Sequence, residues 1–358
     1  MRIAYLYPEI LPSKKARGVS VINTSNELSK LTPTTLIIEK GKENNLDAIC
    51  NFYNIECPRL NIYTLRKKIF FMKSNKFFNF SLSYLLKKTN FSFFYVRHLK
   101  TAEFLIKKGK KVVFECHEIF SKSNPNLFKR EQFVLKNSLG IVFINSTLKK
   151  AIEEYFNISL SPFTIAPGGV NITFPFIKKN FSSIKEIYYV GSLQKWKGVK
   201  FLSESMKSLP YLDLKIVGDG EEKNNIPKLS NIHFQGYVPP HEVEKILKNS
   251  KITVISNISS PYANFTTPIK LFEYWATSNI VVASDIPTIR EFIKDGYNGF
   301  LFQTGSHESF KKKIEDILSL PPSKLQEIAF NGYQSAQKFS WRKRAENIFN
   351  FLKRLEGG

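Results

Sequence analysis

The sequence predicts an α/β chain in which two parallel-sheet domains follow one another. Short apolar segments alternate with helical segments along almost the whole chain, a pattern typical of parallel sheets covered on both faces. The series stops at a polar stretch, residues 178–185, and then begins again. A length of 358 residues suits two hydrophobic cores better than one.

In the first half, strands are predicted from short apolar runs and helices from apolar residues at helical spacing. The predicted strands are 3–7, 35–38, 93–96, 112–114 and 140–144. The predicted helices are 19–31 and 146–155. Residues 163–166 then lead into the turn sequence Pro167-Gly168-Gly169.

The second half repeats this pattern. Its predicted strands are 187–190, 214–217, 232–234, 252–256 and 280–283. Its predicted helices are 199–208, 240–249, 268–276 and, at the end of the chain, 340–355. Three of the strands end at glycine, namely at Gly191, Gly218 and Gly236. Ligands of such sheets bind at the carboxyl ends of the strands, so we expect a site there.

The predicted architecture is two Rossmann-like, doubly wound domains that face a central cleft. Residues 1–170 form the first domain, 171–184 a linker and 185–338 the second domain. Residues 339–358 form a last helix that we expect to cross back to the first domain.

The formal net charge is +23 and is unevenly distributed. Between Arg59 and Lys111, fourteen Lys or Arg residues stand against one acid, Glu103. The aromatic residues among them are Phe70, Phe71, Phe77, Phe78, Phe80, Tyr84, Phe91, Phe93 and Phe94. Such a mixture suits an anionic membrane surface, at about 1 kcal/mol per cation. A merely Lys- and Phe-rich solvated surface explains it as well, and nucleic acid is a less favoured partner.

The cysteines are Cys50, Cys57 and Cys116, and their spacing fits no metal site. Cys50 and Cys57 could pair, but an odd number without a secretory signal suits a reducing compartment. The apolar run at the N-terminus is too short for a signal peptide, and no run approaches the roughly 18 apolar residues of a membrane span. We therefore expect a cytoplasmic protein, peripheral to the membrane at most.

One candidate site segment runs from Gly191 to Gly198. Gly191 ends a strand and lets a ligand approach the backbone. Lys197 lies at the start of the next helix, where free amides favour anions, and its ammonium would counter a diphosphate. Alternatively, Lys197 is an ordinary surface lysine. No P-loop sequence is present.

A second candidate segment begins at Thr267-Pro268. Thr267 is a suitable N-cap and Pro268 a suitable first helical residue. Glu273 lies about a turn and a half further on, and its carboxylate could accept hydrogen bonds from both hydroxyls of a ribose. The helix is apolar nearly all round, so a glutamate on it requires a partner; an exposed glutamate without function is the alternative.

In order and spacing, several segments resemble the retaining glycosyltransferase family 4, which has the two-domain GT-B fold. The subgroup it resembles carries Ser/Thr-Pro-x-Lys-x-x-Glu-Tyr. The matching segments are 190–198, 214–220, 232–238, 268–274, and Glu291 followed by 295–299.

The resemblance implies roles for individual residues. Lys197 would hold the donor diphosphate, Glu273 the ribose, and Tyr237 and Val238 the nucleobase. The predicted donor-binding residues are Gly18 (in the glycine-bearing loop after the first strand), Gly191, Ser192, Lys197, Gly198, Tyr237, Val238, Thr267, Pro268, Lys270 and Glu273. The predicted catalytic residues are His117 (beside the transferring sugar), Lys197 and Glu273.

The sequence departs from the family pattern at two positions. Ser192 stands where the family often has an arginine, so diphosphate binding would depend on Lys197, helix amides and Lys195 or Lys270. Phe265 stands eight residues before Glu273, where a second glutamate usually contacts the donor sugar. The Ser/Thr-Pro subgroup lacks that glutamate too.

The resemblance implies transfer with retention from a nucleotide-sugar donor, which is a co-substrate, with no cofactor. No Asp-x-Asp motif occurs, so we expect no metal. The expected acceptor is a glycan or lipid-linked molecule of a cell-surface polysaccharide or glycolipid, reached on an anionic membrane surface. Closure of the domains would bring His117 and Glu273 together.

Two other functions stay open. One is a nucleotide-sugar epimerase of the same fold, although proton transfer requires carboxylates and the candidate segments contain few. The other is a non-catalytic sugar-nucleotide or nucleic-acid binding protein with a degenerate site, which Ser192 and Phe265 would explain.

Overall fold

The computed structural model describes residues 1–13, 15–42, 44–69, 72–260, 263–267 and 269–357. The chain divides into two compact domains. The first contains Met1–Gly169 and Trp341–Gly358, and the second contains Val170–Ser340. Both are layered α/β structures, so the predicted fold class is confirmed.

Among the described residues of the first domain, seven parallel strands form a sheet in the order β3-β2-β1-β6-β7-β8-β9. These strands are β1 Ile3–Tyr7, β2 Thr34–Glu39, β3 Asn61–Leu65, β6 Phe93–Val96, β7 Val112–Cys116, β8 Gly140–Phe143 and β9 Phe163–Ile165. Strands β4 (Lys68–Ile69) and β5 (Met72–Lys73) form a separate antiparallel pair. Strands β1, β6 and β7 are buried along their whole length, as the continuous apolar sequences of β1 and β6 require.

Helices cover this sheet. They are α1 Ala16–Leu31, α2 Leu46–Tyr53, α3 Asn75–Lys88, α4 Leu99–Lys107, α5 Phe120–Ser123, α6 Phe128–Asn137 and α7 Ser146–Phe156, with a 3-10 turn at Pro125–Leu127. Side chains fix several starts: Asn145, for example, caps α7 by accepting a 2.7 Å hydrogen bond from the amide of Leu148.

In the second domain, six described strands form a parallel sheet in the order β12-β11-β10-β13-β14-β15. They are β10 Glu186–Val190, β11 Asp213–Val217, β12 Ile232–Gly236, β13 Ile252–Ile255, β14 Ile280–Ser284 and β15 Phe300–Phe302. The helices are α8 Val199–Ser205, α9 Pro240–Asn249, α10 Ile269–Ala276, α11 Pro287–Arg290, α12 His307–Ser319 and α13 Pro322–Gln337. Short 3-10 helices lie at Lys195–Lys197, Met206–Ser208 and Glu221–Asn225.

The last helix, α14 (Trp341–Gly357), belongs to the first domain and packs against α1. Its apolar face, which includes Ile348, Phe351 and Leu352, is part of the core of that domain.

Residues 171–184, expected as a linker, instead pack onto the second domain. Phe181 lies in its core, and the ring of Phe176 contacts Phe330. The ammonium of Lys179 donates to the carbonyl of Leu247 at 3.1 Å, to Oδ1 of Asn279 at 2.9 Å and to the carbonyl of Ser250. These contacts were not predicted, because the segment is mostly polar and its aromatic residues do not follow a helical or strand period.

The structure contains the cysteine pair that the sequence allowed but did not favour. Cys50, in α2, and Cys57 form a disulfide, while Cys116 is free and buried. Seven residues separate the pair, and the turn after α2 brings them together. No helix in the described part of the chain is both long and apolar enough to cross a bilayer.

Candidate functional site

The loops at the carboxyl edge of the second sheet are joined by backbone hydrogen bonds. After β10, the amide of Leu193 donates to the carbonyl of Asp219 at 2.9 Å. After β11, the amide of Gly218 donates to the carbonyl of Gly236 at 2.8 Å. The amide of Ile258, after β13, donates to the carbonyl of Trp196 at 3.0 Å. The loops therefore form one platform at the strand ends, where ligands of parallel sheets bind.

Two glycines make this close contact possible. Gly198 has φ +68°, and a Cβ there would lie 1.9 Å from the carbonyl oxygen of Ser256. Gly218 has φ +147°, and a Cβ there would lie 1.8 Å from the carbonyl oxygen of Gly191. Both positions require glycine for conformation and for space. Gly198 thereby fixes the position of its neighbour, Lys197.

Lys197 is a half-buried cation with its Nζ 3.9 Å from the centre of the Trp196 ring. It forms no ion pair with any residue that the structure describes. Burial, followed by the charge of nearby Lys270, lowers the pKa of Lys197 to about 8. The two ammonium groups are therefore near enough to repel each other.

Helix α10 carries Lys270 and Glu273 on its more exposed face, while Leu271, Phe272 and Trp275 are buried. Nζ of Lys270 lies 2.6 Å from Oε2 of Glu273. Lys270 is thus the partner that the sequence required for this glutamate. The Glu273 side chain keeps 28% of its surface exposed, so the glutamate is only partly covered.

A tyrosine attaches α10 to the end of β10. The hydroxyl of Tyr274 accepts from the amide of Val190 at 3.1 Å and donates to its carbonyl at 2.9 Å. Because Val190 directly precedes Gly191, this contact fixes Glu273 relative to the glycine turn. Lys197, Lys270 and Glu273 therefore belong to one cluster at the end of β10.

Of the other predicted donor-site residues in the second domain, Ser192 follows β10, Tyr237 and Val238 follow β12, and Thr267 precedes α10. Tyr237 follows the positive-φ residue Gly236 and is 48% exposed. Val238 packs partly against the core. Ser192 is exposed, and its carbonyl accepts from the Tyr189 hydroxyl at 2.8 Å. Thr267 is buried, whereas Pro268 lies outside the described residues.

In the first domain, His117 directly follows β7. Its Nε2 lies 2.7 Å from Oε1 of Glu115, a fully buried carboxylate. Arg344, from α14, also donates to Oε1, and the Tyr5 hydroxyl donates to Oε2 at 2.7 Å. Burial alone would raise the pKa of Glu115, but His117 and the Arg344 guanidinium bring it well below its usual range.

The charge on Glu115 determines the state of the imidazole. Because an ionised carboxylate can only accept, Nε2 of His117 carries the proton and Nδ1 is left as an acceptor. Burial, followed by the charge of Arg97, lowers the pKa of His117 to about 4. The imidazole is therefore neutral at pH 7 and suited to accept a hydrogen bond from a hydroxyl.

Gly18 lies in the first turn of α1 rather than in a loop. A Cβ there would lie 2.5 Å from the hydroxyl of Tyr53. That hydroxyl donates to the carbonyl of Ser13 and accepts from its amide, both at 2.8 Å. The space at Gly18 thus admits the tyrosine that holds the segment between β1 and α1.

Residues 172–335, which include the whole cluster in the second domain, match the family model "Glycosyl transferases group 1". The chain is similar to an uncharacterised glycosyltransferase of Methanocaldococcus jannaschii, with 26% identity over 329 residues that cover 85% of this chain and 80% of the relative. It is also similar to the lipopolysaccharide core biosynthesis glycosyltransferase LpsE of Rhizobium meliloti, with 28% identity over 137 residues, 36% of this chain and 38% of LpsE.

The chain is a glycosyltransferase. Its fold is GT-B, as shown by the likeness to Anabaena HepE, solved in complex with UDP and glucose. The TM-score is 0.77 at 13% identity, over 99% of both chains.

Sequence reasoning missed two buried partners in this glycosyltransferase. Glu115 is an acid inside an apolar strand, and Arg344 is a cation on the buried face of α14. Both residues could have been noticed as charged residues at apolar positions, since fully buried charges require a partner. Nothing local in the sequence shows that each is the partner of the other.

Asn298, in segment 295–299, has a structural role in the second domain. The Trp275 indole donates to the carbonyl of Asn298 at 2.7 Å. The Asn298 side chain accepts from the amide of Lys294 and donates to the carbonyl of Phe292. This segment therefore supports the buried face of α10, opposite Glu273.

Proposed function

We propose that this glycosyltransferase moves a sugar from a nucleotide-sugar donor to a cell-surface polysaccharide or lipid-linked acceptor, with retention of configuration and without a metal ion. One observation supports it most: the charge of Lys270 acts on Lys197, Lys270 is paired with Glu273, and Lys197 has no acidic partner in the described chain.

Two neighbouring ammonium groups repel each other, and one carboxylate compensates for only one of them. A diphosphate would bring the missing negative charge. As the bond between sugar and phosphate breaks, the leaving diphosphate gains further charge, and cations already in place stabilise it without rearrangement. The two lysines would then do what a metal ion does in other enzymes.

The remaining parts of a nucleotide sugar match the surroundings of the lysines. The partly exposed carboxylate of Glu273 can accept from ribose hydroxyls, and the exposed ring of Tyr237 can stack on a base. The neutral His117 would accept a hydrogen bond from a hydroxyl of the transferred sugar through Nδ1. With no residue assigned as a covalent nucleophile, we propose front-face attack with the departing phosphate as base.

The similar proteins support the choice of substrates. HepE was solved with UDP and glucose, which favours a UDP-sugar donor. LpsE acts in lipopolysaccharide core biosynthesis, which favours a surface glycan acceptor.

We also propose that α3 places the enzyme on the cytoplasmic face of an anionic membrane, where lipid-linked acceptors lie. Phe80 and Tyr84 are 76% and 60% exposed, one turn apart on the same face. Nζ of Lys88 lies 4.4 Å from the Tyr84 ring centre, and Lys76 and Lys87 are exposed. Aromatic rings flanked by lysines suit a lipid headgroup layer. Phe70 and Phe71 lie outside the described residues.

The membrane proposal is tested by sedimentation with vesicles of phosphatidylglycerol and phosphatidylcholine. The Phe80→Ser/Tyr84→Ser variant should lose binding, and Tyr211→Ser, an exposed tyrosine of the second domain, should not. Binding to RNA but not to vesicles would contradict the proposal.

The donor proposal is tested by a thermal-shift screen with UDP, GDP, ADP, CMP and their common sugars. One nucleotide should stabilise the wild type and fail to stabilise Lys197→Met and Glu273→Ala. Lys200→Met, an exposed lysine three residues further on, is the matched control. If no nucleotide shifts the melting temperature, or if both site variants respond like wild type, the proposed donor site is wrong.

A further inference from the structure

Arg97 lies at the point of the first sheet where strand order reverses. It directly follows β6. Strand β1 pairs with β2 on one side and with β6 on the other, so the chain changes direction across the sheet at β1. Its guanidinium Cζ lies 5.9 Å from the centre of the Tyr7 ring, at the end of β1. Ligands of open parallel sheets bind at such a reversal.

Arg97 has no hydrogen bond or ion pair with any residue in the described part of the chain, and its Nη1 is buried without a partner. The other guanidinium groups of this region are paired. Arg344 binds Glu115, and Arg17 binds Glu9 at 3.0 Å. A buried N–H group without an acceptor is unfavourable, so the position of Arg97 is suited to a ligand that supplies one.

The groups around Arg97 form no ion pair with it in the described chain. His117 is neutral at pH 7, and its Glu115 neighbour is already shared with Arg344. Burial raises the pKa of the Glu118 carboxyl, and the charge of Arg97 opposes this shift without a direct ion pair between the two groups. Arg97 is thus a cation without a direct acidic partner, near the imidazole that the proposed function assigns to the sugar.

We propose that Arg97 binds a phosphate group of the acceptor. This rests on the proposed function, and it adds that the acceptor is anionic near the hydroxyl that receives the sugar. A guanidinium presents a planar pair of N–H donors that fits two phosphate oxygens, and the unpartnered Nη1 would supply one of them. The donor diphosphate has its own cations in Lys197 and Lys270, so Arg97 is available to a second substrate.

The test titrates inorganic phosphate by calorimetry at constant ionic strength into the Lys197→Met variant, which weakens the competing donor site. We expect saturable binding, at least tenfold weaker when Arg97→Gln is added. Arg97→Lys keeps the charge without the planar fork and should give an intermediate loss, even if the Gln variant folds poorly. Arg130→Gln, which removes an arginine paired with Glu103, should change nothing.

A separate titration of the nucleoside diphosphate into Arg97→Gln shows whether Arg97 binds a phosphate of the donor or of the acceptor. Unchanged nucleotide affinity together with lost phosphate binding supports the acceptor site. Equal loss of nucleotide affinity in Arg97→Gln and Lys197→Met would assign Arg97 to the donor and overturn the proposal. Phosphate binding that does not depend on Arg97, or no phosphate binding, would also overturn it. If the donor site is wrong, the nucleotide screen on the wild type shows no stabilisation. The phosphate titration still tests Arg97 in that case.

Discussion

Nε2 of His117 lies 2.7 Å from Oε1 of Glu115, and the same oxygen accepts from Arg344, which is 229 residues away in the chain. The candidate catalytic histidine is therefore oriented by the last helix through one buried carboxylate. Arg344 also donates to the carbonyl of Pro167 at 3.0 Å and to Oγ1 of Thr24 at 3.0 Å. One side chain thus joins α14, α1 and the segment after β9.

Replacing Arg344 by Met should destabilise the first domain by about 3–5 kcal/mol, because Glu115 would be left charged and buried without its cation. Urea unfolding followed by circular dichroism measures this. The exposed Arg342→Met is the control and should stay within about 0.5 kcal/mol of wild type. Adding Glu115→Gln to Arg344→Met should recover part of the loss. Equal unfolding midpoints for the Arg344 and Arg342 variants would contradict this role.

Nucleotide binding should weaken with rising pH through the titration of Lys197, whose pKa is lowered to about 8. Below pH 8 the ammonium is charged and attracts the diphosphate; above it the neutral amine does not. The affinity of wild type should fall about tenfold between pH 7 and 9. Lys197→Arg stays charged and should be nearly flat over this range. Calorimetric titrations of the nucleotide at several pH values measure this. The same dependence of affinity on pH in both proteins would exclude Lys197 as the titrating group.

Lys179→Met should destabilise the second domain by about 3 kcal/mol, because it removes the donor for the carbonyls of Leu247 and Ser250 and for Asn279. The exposed neighbour Lys178 provides the matched control, Lys178→Met, with little expected change. Thermal melting measures both. If the two variants have the same melting temperature, residues 171–184 behave as the linker that the sequence suggested.

Protein purified without reductant should show one thiol per chain in denaturant, that of Cys116. Reduction should expose three and lower the stability of the first domain by about 2–3 kcal/mol, since the bond between Cys50 and Cys57 restricts the unfolded chain. Cys50→Ser/Cys57→Ser should match the reduced protein. Three reactive thiols without reductant would support the reducing compartment expected from the sequence.

The central strands were predictable because strands buried on both faces are continuous apolar runs, as in β1 and β6. Strand β3 was missed because it lies at the sheet edge and its residues are mostly half-exposed or exposed. Helix α3 was noted only as a basic aromatic stretch, since its rings are distributed around the helix rather than along one face.

The candidate site was proposed from local signals. A glycine after a strand and a lysine before the next helix made Lys197 a candidate, and an acid on an apolar helix made Glu273 one. The role of His117 came from resemblance alone. Its orientation by Glu115 and Arg344 depends on a contact between distant parts of the chain, which no local pattern contains.

The most direct test of the donor site is a calorimetric cycle of two ligand changes and two variants, using the nucleoside diphosphate that gives the largest thermal shift. Lys197→Met should weaken the diphosphate at least tenfold and leave the matching monophosphate within about twofold, because the lysine meets the second phosphate. Glu273→Ala should abolish the preference for the ribonucleotide over its 2′,3′-dideoxy form. If both variants weaken all ligands equally, or none, the assignment of Lys197 to the diphosphate and Glu273 to the ribose is wrong.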